Sequence, residues 1–340
     1  MIILLRKHPE IEVEHSKLKI QGFLKARITK VNGDVFESDW FPNIITDSGL
    51  NLIGSMGGFN PQDYIIYSIK IGTGNSAPTT GDTVLQTLVA ATSTNSPLTY
   101  PSATPPAAPY YAREAIFGKR FAQGIVGNIA EIGCFNYSDQ MFCRALIRDA
   151  GGSPTTLTLV ATDILDVFYK IKVYPQVAEE AFSAVYGGVT HTGTSKMTRL
   201  GTSAVRPVNS AAGTTELSPL FYVGVQPHTY TSGGLGWKYR LVSNGSFSGT
   251  PGDGIQGTPI YEPINDGGSP GVVLSGSYVN GTFYRDFSLS FTISLANGNI
   301  TGYEYYSSLG FFGYIWSPAI IKDNTKTLTL KSRISWARHV

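Results

Sequence analysis

A two-residue alternation recurs along this chain and constrains its fold more than any other feature. Within Leu18–Val31, Leu24, Ala26 and Ile28 fall on one side of an extended segment, and Lys25, Arg27 and Thr29 fall on the other. Within Ile164–Tyr174, the side chains of Val167, Tyr169, Ile171 and Val173 share a face. Within Thr282–Leu295, so do Phe283, Arg285, Phe287, Leu289, Phe291 and Ile293. Period two is the signature of a strand with one buried face. No series of long amphipathic helices separates these segments, which argues against a doubly wound α/β fold. The predicted class is mainly β: antiparallel β-sandwich modules with a few short helices and long Gly/Pro-rich loops.

Composition fits that class. Of 340 residues, 42% are apolar and only 15% are charged, below the roughly 25% of an average globular chain. The 38 glycines, 19 prolines, 19 tyrosines and 17 phenylalanines suit strands joined by long turns. Few charges and many aromatics also suit a surface covered by subunit contacts. A net charge of +2 offers no broad basic footprint for nucleic acid. The densest basic stretch is Lys17, Lys19, Lys25, Arg27 and Lys30, read as a solvated or edge-protecting strand face. No run of 18 apolar residues occurs, so no membrane insertion is expected, and Met1–Leu5 is too short for a signal-peptide core.

Four regions are expected: an N-terminal arm over 1–19, a first β domain over 20–175, a more variable β-rich lobe over 176–320, and a closing strand over 321–340. That last strand either returns to the first domain or completes the second. Asn32-Gly33 reads as a hairpin turn. A short helix is predicted over Leu50–Met56, capped by Thr46, Asp47 or Ser48, and a second over Gln176–Val185. Thr83–Ala90 reads as a short helix or an extended arm. With eight glycines and four prolines, Gly245–Gly271 reads as mostly loop. The turn-plus-strand pattern of 149–174 resembles that of 321–336, suggesting two related β modules. Cys134 and Cys143 flank the turn Tyr137-Ser138-Asp139-Gln140, which would set them opposite each other on paired strands as buried, reduced thiols.

Localised chemistry is sparse. Gly72-x-Gly74 lacks the third glycine and the Lys-Ser/Thr of a phosphate loop and reads as a tight turn. His8, His15, His191, His228 and His339 show no ligand spacing, so no metal is expected. Asp163 and Asp166 lie three apart, but nothing singles them out as an acid pair, and Asp163 reads as a turn cap. No Gly-x-Ser-x-Gly elbow occurs. The expectation is no enzyme, no catalytic residues and no cofactor. Aromatics are the remaining signal: Tyr222, Trp237, Tyr239, Tyr303, Tyr305, Phe312 and Trp316 are candidates for a subunit interface or a glycan contact, with filling of a sandwich core as the plainer reading.

Several motifs carry a resemblance: Asn43-Ile44-Ile45-Thr46-Asp47-Ser48-Gly49-Leu50, Ile71-Gly72-Thr73-Gly74-Asn75-Ser76-Ala77-Pro78, and Asp82-Thr83-x-Leu85. To these are added Asn128–Gly133, Phe142–Ile147, Leu165–Ile171 and the closing Ile334–Arg338. Together they resemble structural proteins of tailed bacteriophages of the tail-fibre or tail-associated type. The likeness covers about residues 24–175 and the last fifteen and carries no catalytic residues. It implies a virion component of the tail, neck or fibre base, assembled in the host cytoplasm. Expected partners are other copies of the chain, in a trimer or ring, and other virion proteins. The alternative is a fibre module that binds a bacterial surface glycan.

Overall fold

The computed structural model describes residues 10–55, 65–98, 100, 113–176, 178–200, 239–247, 254–261, 272–275, 278–307 and 310–339. Within them the fold is mainly β. The strands are β1 (Glu10–Thr29), β2 (Val35–Glu37), β3 (Phe41–Pro42), β4 (Ile44–Ile45), β5 (Ser68–Gly72), β6 (Leu88–Thr92), β7 (Arg113–Phe121), β8 (Gly127–Ile129), β9 (Glu131–Phe135), β10 (Met141–Leu146), β11 (Leu157–Leu159), β12 (Ile164–Pro175), β13 (Glu180–Tyr186) and β14 (Val189–Leu200). They continue with β15 (Tyr239–Phe247), β16 (Ile255–Tyr261), β17 (Val272–Ser275), β18 (Tyr284–Phe291), β19 (Gly298–Ser307), β20 (Gly310–Lys322) and β21 (Leu328–Arg338). The helix α1 spans Asp47–Ser55.

β1 organises the molecule. Its 20 residues reach about 66 Å at strand rise. On one side, Leu18–Thr29 pairs antiparallel with β12. On the other, Glu10–Ile20 pairs in parallel with β21, Phe23–Leu24 with β3 and Arg27–Thr29 with β2. The sheet runs β17-β18-β21-β1-β12-β7. Three expectations change here. From Glu10 onward the residues expected in an arm form the first half of a central strand. The sheet is mixed, because β1 and β21 run the same way. The basic face of β1 protects no edge, since that strand is flanked on both sides.

A second sheet, β4-β10-β9-β5-β6, is joined to the first along two borders. At one, Asn95 bridges to Lys119 of β7, with Ser96 N–H donating to Gly118 C=O. At the other, Asn43 N–H donates to Gly22 C=O between β3 and β4. Between the two sheets lie Leu24, Ala26, Ile69, Ile71, Ile132, Val167, Tyr169 and Ile171, all fully buried. Burying each large apolar side chain is worth about 1.5–3 kcal/mol. A third sheet runs β13-β14-β20-β19-β15-β16. Its inward Phe182, Tyr314 and Trp316 belong to the same continuous core as Leu289, Leu330 and Trp336.

Helix α1 starts where its chemistry allows. Gly49 N–H donates to Thr46 Oγ1 at 2.9 Å, so Thr46 is the cap. Trp336 Nε1 donates to Leu50 C=O at 2.9 Å, and the Arg338 guanidinium reaches Ile45 C=O and Asp47, which pins the helix to β21. The helix expected over Gln176–Val185 is instead strand β13, where Phe182, Ala184 and Tyr186 are buried and their neighbours face out. Leu88–Thr92 is a strand, and no helix occupies Thr83–Ala90. Within the stretch read as loop, Ile255–Tyr261 pairs with β15 despite Gly257 and Pro259. The proposed repeat differs in its two copies. Residues 157–175 form two strands with a break, whereas 328–338 form one unbroken strand.

Candidate functional site

Four of the resemblance motifs, over 71–78, 82–85, 128–133 and 142–147, meet at one buried charge pair. Glu131 on β9 is fully buried, and Arg144 on β10 is 3% exposed. Arg144 Nε donates to Glu131 Oε2 at 2.8 Å, Nη1 donates to Asp82 Oδ2 at 2.8 Å, and Nη2 reaches both oxygens of Ser76 at 3.2 Å. The Glu131 carboxylate also accepts from the backbone N–H groups of Gly74, Gln86 and Thr87 at 2.8–3.2 Å. The Gln86 side-chain oxygen accepts from Asn75 and Ser76 N–H. A loop of converging N–H groups is an anion cradle in general. Here the chain's own carboxylate fills it.

The glycines of this loop are set by that carboxylate together with the 86–87 segment. A Cβ on Gly74 would stand 2.4 Å from both Gln86 Cβ and Glu131 Oε1, and one on Gly72 would stand 2.3 Å from the Thr87 backbone oxygen and 2.6 Å from Glu131 Oε1. The Gly72-x-Gly74 element is therefore a turn closed on Glu131. Burial raises the Asp82 pKa, but hydrogen bonds from Thr79 and Arg144 outweigh it and leave the carboxyl below its ordinary value. Sequence reasoning missed Glu131 and Arg144. Their signal was present: each interrupts an otherwise apolar strand, in Ile129-Ala130-Glu131-Ile132 and Phe142-Cys143-Arg144-Ala145.

The other acids are also committed. Arg120 makes a two-bond contact with the fully buried Asp166, both at 2.8 Å. Lys30 Nζ lies 2.7 Å from Asp163, whose carboxylate also accepts from Val160 N–H as a turn cap does. Asp163 and Asp166 thus engage different cations and form no acid pair. Cys134 and Cys143 are opposite each other in the β9–β10 pair, buried and free. Burial, then the Cys143 thiol, pushes Cys134 well above its ordinary pKa. Among the described residues no group of three His, Cys, Asp or Glu gathers.

Of the aromatic candidates, three face inward. Tyr303, Phe312 and Trp316 are 2%, 1% and 6% exposed. Tyr303 stacks on Tyr314 with ring centroids 5.9 Å apart, and Trp316 Nε1 donates to Ile300 C=O. The alternation of β19 and β20 turns these rings into the core, so as folded they present no stacking surface to a sugar. Tyr239 and Tyr305 are register partners on β15 and β19. Tyr222 and Trp237 lie outside the described residues.

Comparison with protein-family models, with curated proteins and with solved structures finds no match.

A half-exposed aromatic group does exist, on the outer face of β1 and β12. Phe23 is the register partner of Lys170, and Lys25 of Phe168. Trp40 and Tyr100 stand over them, ring centroids 5.9 Å apart, and Tyr100 covers Phe168 edge-on at 4.5 Å. Lys170 Nζ lies 4.2 Å from the Trp40 ring centre and 5.4 Å from that of Phe23. Lys25 Nζ lies 5.5 Å from Trp40 and 5.1 Å from Tyr100. Lys25 is also 2.6 Å from Glu37, which accepts the Tyr100 hydroxyl at 2.7 Å. Burial, then this bond to Glu37, raises the Tyr100 pKa to about 12.

Proposed function

We propose that this chain is a structural component of a tailed-phage virion, a tail, neck or fibre-base protein that acts in assembly and attachment of tail appendages. One observation carries the reading: the residues behind the resemblance bind one another. Asp82 and Ser76 close over the buried Glu131–Arg144 pair and Asn75 is held beside them through Gln86, while Thr46, Asp47, Leu50, Trp336 and Arg338 lock α1 to β21. A motif set that braces a scaffold suits a building part. We read β17-β18-β21-β1 and the third sheet as the two layers of a sandwich. Copies of the chain would meet in a trimer or ring through outer faces and sheet borders.

Immunogold labelling of particles from cells carrying this gene tests the reading. The expected result is label at the tail or its appendages. Unlabelled particles, with the chain recovered only as free protein in the lysate, would exclude it.

A further inference from the structure

We infer that the outer face of β1 and β12 is a binding site for a compact anion, a carboxylate or phosphate group, held between Lys170, Lys25 and Lys172. Lys25 and Arg27 share a single carboxylate, Glu37, at 2.6 and 3.6 Å. Lys172 lies 3.4 Å from Glu114. Lys170 has no carboxylate within ion-pair distance among the described residues; its ammonium group lies over the faces of Trp40 and Phe23. Asp166, opposite Arg27 on the same face, is taken by Arg120, so five cations meet three anions here.

Distances make the excess matter. The Lys25 and Lys170 ammonium groups lie 5.5 and 4.2 Å from the centre of the same indole, which places them within about 10 Å of each other, the Debye length near 0.1 M salt. Lys170 and Lys172 share the Phe23 ring at 5.4 and 5.6 Å. Repulsion among these groups is thus only partly screened, and burial costs Lys170 hydration. Burial first, then Lys172 and Lys25, against the pull of Glu114, holds its pKa below the ordinary value. An anion between the ammonium groups would relieve both penalties. Half-buried Phe23, Trp40 and Tyr100 form its walls, where a charge-assisted bond gains from reduced water access.

The test is titration of the folded chain with inorganic phosphate and, separately, with D-glucuronate, against sodium chloride at matched ionic strength. Indole fluorescence and melting temperature are the readouts. The expected result is saturable binding of at least one anion, weakened at least tenfold in Lys170→Met, which keeps most of the apolar stem. Lys170→Arg is expected to retain binding, and Lys326→Met, on a distant turn, to match the parent. Phosphate alone would indicate a phosphate-bearing ligand, and glucuronate alone an acidic sugar. No saturable response to either anion in the parent chain would overturn the inference. So would equal binding by a Lys170→Met protein with unchanged circular dichroism.

Discussion

Arg144 donates to Glu131 across 2.8 Å between neighbouring strands, and neither residue is more than 3% exposed. Burying such a pair is costly, and removing one member strands the other. We predict that Arg144→Met destabilises the protein by about 3 kcal/mol in urea unfolding, the lower end for a broken buried pair because three N–H groups still serve Glu131. Adding Glu131→Gln is expected to cost less than the sum of the single changes. Strict additivity would show that the pair is not coupled.

The loop around this pair supplies a contrast between glycines. Gly74→Ala drives a methyl to 2.4 Å from Glu131 and Gln86, so a loss of about 1–3 kcal/mol is expected. Gly81→Ala meets nothing within 4 Å. There the change is expected to be neutral, or to stabilise by up to about 1 kcal/mol through the unfolded chain. Paired melting curves separate the two.

Acid sensitivity follows from the depressed carboxyls. Asp82 and Glu37 both titrate below their ordinary values of 3.8 and 4.5 in the fold. For Glu37, burial pulls upward and the hydrogen bonds from Lys25 and Tyr100 outweigh it. A lowered folded-state pKa means the stabilisation is fully present above the unfolded value and disappears as pH falls through the folded one. The parent chain is therefore expected to lose its stability advantage over Asp82→Asn as pH drops below about 4. An advantage unchanged between pH 6 and pH 2.5 would rule this out.

Both thiols are fully buried, and that of Cys134 is held protonated. Thiolate is the reactive form. A thiol-specific disulfide reagent is expected to react with neither cysteine in the native chain and with both after unfolding in denaturant. Fast labelling of the native protein would mean that the β9–β10 pair opens readily.

Local pattern was legible in the sequence where one face of a strand meets the core. Val167, Tyr169, Ile171 and Val173 are all buried, Cys134 faces Cys143, and Thr46 caps α1. Long-range partnership was not legible. Nothing in Glu10–Ile20 announces a parallel neighbour more than three hundred residues away, because pairing is decided by which strands share a core. The segment 180–186 misled for a related reason: Phe182, Ala184 and Tyr186 alternate over too short a run to outweigh the helix-forming residues before them. Among the aromatics, composition alone does not separate a ring that fills a core from one that covers a surface. Trp316 is buried in the core, whereas Trp40 is half-buried on an outer face.

The placement of β1 has a mechanical consequence. Tension along that strand would load its ladders sideways, many bonds at once, rather than unzipping them one by one. β12 grips one stretch and β21 another, and the two grips overlap at Leu18–Ile20. A pull entering through one grip would pass to the other within a single continuous strand.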